Sequence, residues 1–295
     1  MVFLNYNRSE RDEVTLRKEF NMATVITFAS EKGGVSKTTT CVNLATCLTQ
    51  KGYRVLVCDM DAQANSTYLL TGHIKKEDFY KGLGVYDMLR AYDIKPPEDF
   101  IVDSHVSDLC KVLPSNLQTP LAIGQLELLQ NENGCSKNQF FMFCLAKLSS
   151  MFDFILCDTG PARDSLILSA ITASDYVILP TVCNSLALEG FDTTCSIISK
   201  LEKQENTQID ILGILLTAVE DYALTRAIRK SLQESDYSDK LFKTEIRKGQ
   251  HVNESSIYGK PVVITAPKAK PSLDYLALTE ELLKRLEEKG VKTSK

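Results

Sequence analysis

The chain has 295 residues, of which 34 are lysine or arginine and 38 are aspartate or glutamate, giving a formal net charge of −4. Charged residues make up 24% and hydrophobic residues 44% of the sequence, proportions that indicate a soluble globular protein and exclude a disordered or fibrous chain. No stretch approaches the ~18 uninterrupted apolar residues of a membrane span, and the polar N-terminus argues against a signal peptide. A mildly acidic chain would bind nucleic acid only through a local basic patch.

The nine cysteines are an odd number, and no two of them are separated by two residues. Several, such as Cys58 and Cys157, lie within apolar segments. This pattern argues against a disulfide framework or a zinc site, and it predicts buried free thiols in a reducing cytoplasm.

Residues 1–21 are polar and weakly patterned, so we expect an N-terminal extension outside the core. Residues 22–295 are expected to form a single domain, because no internal repeat or low-complexity linker divides them. Met22 stands directly before the first strong strand, so translation from Met22 would also give a whole domain.

Strand-like and helix-like segments alternate along the chain from residue 24. Short apolar runs predict strands over 24–30, 54–58, 109–113, 154–157, 176–179, 209–216 and 261–264. Helical patterns and end signals predict helices over 37–50, 84–92, 117–130, 139–150, 165–173, 186–203, 224–233 and 272–288. Continuous apolar strands separated by helices predict an α/β fold, with a mostly parallel twisted sheet and helices on both faces.

The first predicted strand runs directly into the segment Glu31-Lys-Gly-Gly-Val-Ser-Lys-Thr-Thr39, and a helix follows. A glycine-containing loop at this place collects backbone N–H groups and the positive end of the helix dipole around an anion. In such a loop Lys37 would reach the β- and γ-phosphates of a nucleotide, and the Thr38 hydroxyl would hold Mg²⁺.

The generic phosphate-loop pattern G-x-x-x-x-G-K-[ST] fails here, because Glu31 and Ser36 stand where its two glycines belong. The loop instead fits a variant pattern, K-G-G-x-x-K-[ST], which begins with Lys32. A simple tight turn at Gly33-Gly34 is the alternative interpretation. The strand before the loop and the helix after it favour phosphate binding.

This loop resembles the deviant Walker A motif of the ParA/MinD family of ATPases, and further segments match motifs of that family in the same order. The sequence is most similar to the short, Soj-like ParA partition ATPases, over most of residues 22–288. The resemblance implies a P-loop NTPase fold of the deviant Walker A type. The matching segments are Asp59-Met-Asp-Ala-Gln-Ala-Asn65 (family D-x-D-P-Q-x-N, with Ala62 in place of proline), Phe154-Ile-Leu-Cys-Asp-Thr-Gly-Pro161 (the Walker B strand), Leu186-Ala-Leu-Glu-Gly190, Tyr258-Gly-Lys-Pro261 and Ala266-Pro-Lys-Ala-Lys270.

The resemblance implies an enzyme that hydrolyses ATP with Mg²⁺. Thr38 would hold the metal directly, and Asp59 and Asp158 would hold it through waters. Asp61 would orient the attacking water, although Asp59 and Asp61 could also be ordinary solvated strand ends. Residues expected to bind ATP are Lys32, Gly33, Gly34, Val35, Ser36, Lys37, Thr38, Thr39, Pro161, Thr217 and Pro267, of which Lys32 and Lys37 would be catalytic together with Asp61.

In this family the residue corresponding to Lys32 crosses a dimer interface to the partner's phosphates. The resemblance therefore implies a homodimer that closes around ATP. Thr217 and Pro267 match positions near the adenine, but ordinary loop residues explain them equally well. Ser36 would either contact a phosphate or slow turnover, and the sequence does not choose between these roles.

A partition ATPase that binds DNA non-specifically is the favoured function. Residues 240–270 carry seven basic and two acidic side chains, a local charge of +5 that leaves −9 for the rest of the chain. Arg226, Arg229 and Lys230 share one face of a predicted helix. A solvated basic surface would explain the charge equally well. The expected DNA-binding residues are Arg226, Arg229, Lys230, Arg247, Lys248 and His251.

His251 stands where the family has an arginine tied to DNA contact, and histidine is mostly neutral at pH 7. DNA binding is therefore expected to be weaker, or to depend on Lys248, Arg247 and Arg226. The family also implies a DNA-binding adaptor of the ParB type that stimulates hydrolysis, and a cytoplasmic, nucleoid-associated protein.

The alternative function is a MinD-like ATPase that cycles on and off a membrane. Such a protein needs a C-terminal amphipathic helix, but the leucines of the last predicted helix fit packing on the sheet, and no separate membrane anchor is evident. An iron–sulfur reductase is excluded because Ser165 and its neighbours are not cysteines. Residues 1–21 are too short for a helix-turn-helix domain, so operator binding is not expected.

Overall fold

A seven-stranded sheet runs through the computed structural model, which describes residues 22–72, 82–91, 94–133, 136–161, 164–182, 187–205 and 207–293. The predicted extension over 1–21, Leu186, Cys135 and Cys183 lie outside these residues. The strands are β1 Thr24–Phe28, β2 Val55–Asp59, β3 Val102–Asp103, β4 Cys110–Leu113, β5 Phe154–Asp158, β6 Tyr176–Val182 and β7 Asp210–Thr217.

The order of the strands across the sheet is β3-β4-β2-β5-β1-β6-β7. Neighbouring strands are parallel except for β3, which pairs antiparallel with β4 at the edge. The strand that begins the described chain, β1, therefore lies inside the sheet between β5 and β6. This arrangement brings the carboxyl ends of β1, β2 and β5 to one edge of the sheet.

The helices connect successive strands and cover both faces of the sheet. Alternate residues of β1 point to opposite sides: Ile26 and Phe28 pack in one apolar core, and Val25 packs in another. The helices are α1 Lys37–Gln50, α2 Asn65–Thr71, α3 Val85–Arg90, α4 Leu121–Asn133, α5 Phe140–Leu148, α6 Ser165–Thr172, α7 Ala187–Glu205, α8 Ala223–Gln233, α9 Gln250–Ile257, α10 Val262–Thr265 and α11 Lys270–Glu288.

One core contains α1 and α11, with the buried side chains of Leu44, Tyr275 and Leu282 against the sheet. The opposite core contains α4 and α5, with Leu126 and Phe141 among its buried residues. Each such buried apolar side chain stabilises the fold by about 1.5–3 kcal/mol. The α/β fold with a mostly parallel sheet and helices on both faces is thus confirmed, and α1 has the predicted bounds.

The predicted strand over 261–264 is wrong, because Val262–Thr265 forms the short helix α10. The run of β-branched residues after Pro261 favours a strand, but its backbone finds other partners. The N–H of Val263 donates to Asn43 Oδ1 at 3.1 Å, and the N–H of Ala266 donates to the Val262 carbonyl at 2.8 Å. Asn43 thereby ties α10 to the helix that follows the phosphate loop.

The last predicted helix is confirmed as α11, but its leucines do not all pack on the sheet as expected. Leu278, Leu282 and Leu286 are buried, whereas Leu273 and Leu276 near its start are exposed. Nowhere in the described residues does a helix have the length and apolar character needed to cross a membrane. The seven described cysteines are free thiols, and six of them are buried, as predicted.

Candidate functional site

The predicted phosphate loop follows the carboxyl end of β1, next to the end of β5 and one strand away from the end of β2. This edge is where open parallel sheets bind ligands. The fold therefore gathers Lys37, Asp59, Asp61 and Asp158 at one edge, although they come from three separate parts of the sequence.

The phosphate loop contains two residues in the left-handed region of backbone conformation. Gly34 has a φ of 73°, and Ser36, the residue before α1, has a φ of 64° and a ψ of 29°. A side chain in this region costs about 1–2 kcal/mol, which explains why the generic phosphate-loop pattern has glycine at the Ser36 position. Ala64 and Ala218, which follow β2 and β7, also have positive φ values of 54° and 50°. Backbone strain of this kind is typical of functional sites.

The ammonium group of Lys37 is held inside the loop. Its Nζ donates to the Ser30 carbonyl at 2.9 Å and to the Lys32 carbonyl at 3.1 Å, and the side chain is buried. Burial lowers the pKa of Lys37, while the nearby carboxylates of Asp158 and Asp61 oppose that shift. A buried cation at a helix N-terminus, close after the two exposed glycines Gly33 and Gly34, is suited to receive an anionic phosphate.

Asp59 and Asp158 are the last residues of β2 and β5, and both side chains are fully buried. Asp59 Oδ2 accepts hydrogen bonds from the N–H of Thr67 at 2.8 Å and from its hydroxyl at 2.7 Å. Asp158 Oδ2 accepts a hydrogen bond from the Ser66 hydroxyl at 2.7 Å. The start of α2 therefore holds one oxygen of each carboxylate.

Burial, and after it the charges of neighbouring carboxylates, raise the pKa values of these two acids. The pKa of Asp59 rises to about 7, through burial first and then through the charge of Asp158. The pKa of Asp158 rises to about 6 through burial, which the hydroxyls of Ser66 and Thr38 oppose. Two neighbouring carboxylates of this kind favour either a proton or a cation between them.

The site fits Mg²⁺, because Asp158 Oδ1 is buried and has no hydrogen-bond partner among the described residues. Magnesium prefers carboxylate and hydroxyl oxygens and retains several waters. Thr38, Asp59 and Asp158 are the residues that would hold it, as the sequence predicts. A divalent cation would remove the electrostatic cost of burying both acids together.

Asp61 lies on the loop between β2 and α2, half-buried beside the loop after β5. Its Oδ1 accepts a hydrogen bond from the N–H of Gln63 at 2.9 Å, and its carbonyl accepts one from the Ser115 hydroxyl at 2.6 Å. A Cβ added to Gly160 would lie 3.4 Å from Asp61 Cγ, so the carboxylate faces the segment that follows Asp158.

The remaining residues predicted to contact the nucleotide lie in different surroundings. Thr217 is fully buried, and its hydroxyl contacts the Val35 carbonyl at 3.2 Å, so it supports the phosphate loop from behind. Pro161 and Pro267 are exposed, and Lys32 is half-buried at the loop. The structure thus brings Thr217 to the loop and leaves the two prolines open to a ligand.

Each predicted DNA-binding side chain is paired with a carboxylate of the same chain. Arg229 and Arg247 make two-pronged, partly buried pairs, whereas Arg226, Lys230 and Lys248 make exposed single contacts. Exposed pairs contribute little to stability and are readily exchanged for other anions. The pairs are Arg226–Asp221, Arg229–Glu245, Lys230–Glu234, Arg247–Asp274, Lys248–Glu220 and His251–Glu254.

Sequence reasoning missed a set of buried hydroxyls next to the acids. Thr67, Ser115 and Thr119 are 3%, 2% and 2% exposed, and they join the loop after β2 to the loop after β4. The signal available in the sequence was the placement of Ser115 two residues after the apolar end of β4, at the edge where the acids lie.

The chain is similar to known proteins over most of its length. A family model described as an AAA domain matches residues 23–211. The sporulation initiation inhibitor protein Soj of Bacillus subtilis is 34% identical over 263 residues, which cover 88% of this chain and 98% of Soj. The chromosome partitioning protein ParA of Myxococcus xanthus is 29% identical over 284 residues, which cover 96% of this chain and 93% of that protein.

Solved structures share the fold as well. Cobyrinic acid a,c-diamide synthase from Mycobacterium smegmatis, with bound ADP and magnesium, has a TM-score of 0.74 and 25% sequence identity. The match covers 91% of this chain and 97% of that protein.

Proposed function

Because the chain belongs to the ParA/MinD family of P-loop ATPases, we propose that it is a partition ATPase that binds and slowly hydrolyses ATP with Mg²⁺. In this proposal, ATP closes two copies of the chain into a sandwich dimer that binds DNA without sequence specificity. A DNA-binding adaptor of the ParB type stimulates hydrolysis and thereby releases the dimer from the nucleoid in the cytoplasm. The cargo would be a plasmid or a chromosome.

One observation carries the proposal: a buried lysine and two buried carboxylates lie together at the end of the sheet. Lys37 Nζ is held by loop carbonyls, and Asp158 keeps a buried oxygen that has no hydrogen-bond partner in the part of the chain that the structure describes. A purely structural cluster would satisfy the buried Asp158 oxygen internally, as it does the Lys37 ammonium. A nucleotide phosphate would bind the Lys37 ammonium, and a divalent cation would bind that buried oxygen of Asp158. This combination supports a nucleotide site.

The chemistry needs charge neutralisation and an oriented water. Lys37 and the backbone N–H groups of the phosphate loop would neutralise the β- and γ-phosphates, and bound magnesium would supply Lewis-acid stabilisation of their charge. Asp61 would orient the attacking water for in-line attack. Its carboxylate lies beside Gly160, next to the buried acid that would hold the metal.

The exposed side of the loop supports the proposed dimer. Gly33 and Gly34 are exposed, and apart from the adjoining residues of the loop no atom of the described chain lies within 4 Å of a Cβ placed on either. A second copy could therefore approach the phosphates closely, and Lys32 of each copy would then act on the nucleotide of the other. The family relationship to ParA and Soj supports this interpretation.

The test begins with nucleotide binding and hydrolysis by the purified protein. Lys37→Ala should lose MgATP binding, whereas Lys51→Ala, a matched lysine change just after the other end of α1, should keep it. Lys51 pairs with Glu280 and lies away from the phosphate loop. A wild-type protein that neither binds nor hydrolyses MgATP, with or without duplex DNA, would contradict the proposal.

The second part of the test separates DNA binding from the membrane alternative. Binding to random duplex DNA and to anionic liposomes is measured with ATP and with ADP, at two salt concentrations. ATP-dependent DNA binding that weakens steeply with salt supports the partition function. Binding to liposomes without binding to DNA would favour a MinD-like membrane cycle instead.

A further inference from the structure

Two chains of hydrogen bonds run from the loop after β4 to the acids of the site, and both pass through Ser115. The Ser115 hydroxyl donates to the Asp61 carbonyl at 2.6 Å, and the Ser115 N–H donates to the Thr67 hydroxyl at 2.9 Å. Thr67 in turn donates its hydroxyl to Asp59 Oδ2 at 2.7 Å. One buried serine therefore connects the residue that orients water with a residue that holds the metal.

The donors and acceptors of these bonds have a fixed direction. A carbonyl only accepts, so the single hydroxyl hydrogen of Ser115 is used on Asp61. The contact of 2.8 Å between the Ser115 and Thr119 hydroxyls must then use the hydrogen of Thr119, whose oxygen accepts from the Asn116 N–H at 3.0 Å. The Thr67 oxygen likewise accepts from the Ser115 N–H, and the Thr67 hydroxyl hydrogen is donated to Asp59 Oδ2. Successive bonds that point the same way strengthen one another, which makes the two chains stiff.

Local contacts alone hold Asp61 less firmly than Asp59. The side chain of Asp61 accepts one bond from the N–H of Gln63 two residues away, and its carbonyl accepts one from the Ala64 N–H at 2.9 Å. Both partners lie on the same loop and would move with it. The Asp61 N–H makes a longer bond of 3.2 Å to Asp59 Oδ1, and the Ser115 hydroxyl is the hydrogen bond that ties the Asp61 carbonyl to the loop after β4.

We propose that Ser115 is a positioning residue for ATP hydrolysis, which holds the backbone of Asp61 at the distance from the phosphate loop that in-line attack requires. The inference rests on the proposed function. Thr119 sets the direction of the Ser115 hydroxyl, and Thr67 carries the same anchor to Asp59. Removing the Ser115 hydroxyl loosens Asp61, which keeps its bonds to Asp59 and Ala64, and leaves the backbone bond to Thr67 intact, so metal and nucleotide binding survive.

The experiment compares Ser115→Ala with Ser104→Ala. Ser104 is a similarly buried serine whose hydroxyl donates to the Leu70 carbonyl at 2.7 Å, so the control removes an equivalent bond at the far end of α2. We expect Ser115→Ala to lower kcat about tenfold, because small displacements of a reacting group are costly. Its KM and its affinity for a non-hydrolysable ATP analogue should stay within about twofold of the Ser104→Ala values.

Ser115→Thr keeps the hydroxyl and should restore most of the lost kcat. Thr119→Val provides a second route if Ser115→Ala fails to fold: it removes the donor to Ser115 while keeping the side-chain shape, and kcat should again fall without a matching loss of affinity. Equal kcat values for Ser115→Ala and Ser104→Ala would overturn the inference. So would an affinity loss as large as the loss of kcat.

The outcome also separates this inference from the proposed function. If the wild-type protein hydrolyses ATP and Ser115→Ala hydrolyses it equally well, only the role of Ser115 is wrong. If the wild-type protein hydrolyses no ATP, the proposed function is wrong and the inference falls with it.

Discussion

Asp59 and Asp158 are register partners on adjacent parallel strands, so the last residues of β2 and β5 place two buried carboxyl groups at the same level of the sheet. Both carry raised pKa values, of about 7 and about 6. The pair therefore binds either protons or a cation near neutral pH. The stability of the protein and its affinity for metal must both depend on pH in this range.

Without metal, we expect the protein to be more stable at pH 5 than at pH 8. The folded-state pKa values lie above the ordinary aspartate value of 3.8. Between pH 3.8 and these raised values, the folded state therefore binds more protons than the unfolded state. The stabilising contribution is complete below pH 3.8 and is lost as pH rises through 6 to 7. The expected difference, on the order of 1–3 kcal/mol, is measured by urea unfolding in a chelator.

Asp158→Asn isolates the contribution of this pair. The variant should gain stability at pH 8 and lose most of that gain at pH 5, and it should no longer be stabilised by Mg²⁺ with ATP. Asp153→Asn is the control, because it breaks a partly buried pair with Arg54 at the opposite end of β5 and should destabilise at both pH values. If Asp158→Asn changes the stability equally at both pH values, the pH dependence does not come from the Asp59–Asp158 pair.

Ser36→Gly should stabilise the fold. The left-handed backbone at this position favours glycine, and the relief of about 1–2 kcal/mol exceeds the entropy cost of glycine, for a net gain of up to about 1 kcal/mol. Ser256→Gly makes the same chemical change in the exposed helix α9 and should cost about 0.5–1 kcal/mol. Both are measured by urea unfolding, and a destabilised Ser36→Gly would show that the serine side chain makes a needed contact.

Asp61→Ala should trap the ATP-bound dimer. The variant keeps Lys37 and the metal-binding acids, so it should bind ATP but hydrolyse it at least about a hundredfold more slowly. Light scattering with ATP then gives the mass of a dimer. Gln63→Ala, on the same loop, should behave as wild type, and an Asp61→Ala protein that stays monomeric with ATP would contradict the sandwich arrangement.

Among the basic residues, we expect the side chains with exposed single contacts to bind DNA and the partly buried, two-pronged pairs to support the fold. Arg226 and Lys248 are 58% and 61% exposed, so alanine at either should weaken DNA binding and reduce the slope of log K against log salt by about one. Arg247 instead makes a two-pronged contact with Asp274, whose side chain is 11% exposed.

Arg247→Ala is therefore expected to lower the free energy of unfolding by about 1 kcal/mol. The two effects are measured by fluorescence anisotropy with random duplexes and by urea unfolding. Lys147→Ala, a charge change on α5 in the opposite half of the fold, is the control for a general effect of net charge. Unchanged DNA affinity in both Arg226→Ala and Lys248→Ala would place the DNA surface elsewhere.

The sequence pattern was sufficient to predict a helix or strand where local conformational preferences and tertiary contacts favour the same structure. The bounds of α1 were predicted correctly because a loop with glycines precedes it and Lys51-Gly52 ends it. Asp158 was predicted as a metal ligand because a carboxylate that ends an apolar strand needs a cation, whereas Asp59 was predicted through its resemblance to a family motif. In contrast, α2 was missed because Asn65–Thr71 is only 7 residues long and begins after an alanine in a left-handed conformation.

What could not be predicted depends on contacts between distant residues. Residues 261–264 look like a strand, but the helical turn there is held by its own backbone bonds and by the bond from Val263 to Asn43, 220 positions away. A count of charges in the sequence could not predict the ion pairs of the basic residues, because partners such as Arg247 and Asp274 are far apart in the chain, in this case by 27 residues. The role of Ser115 likewise depends on a bond to Asp61 across 54 residues.

The central place of β1 in the sheet also governs when the site can form during synthesis. Thr24 pairs with Phe154 and Ile26 pairs with Tyr176, so the strand leading into the phosphate loop has neighbours made 130 and 150 residues later. A nascent chain therefore carries a complete phosphate-loop sequence for nearly half of its translation without the strands that give the loop its shape. ATP stabilises the finished domain, because only that state binds it, and offers no help to the growing chain before β6 leaves the ribosome.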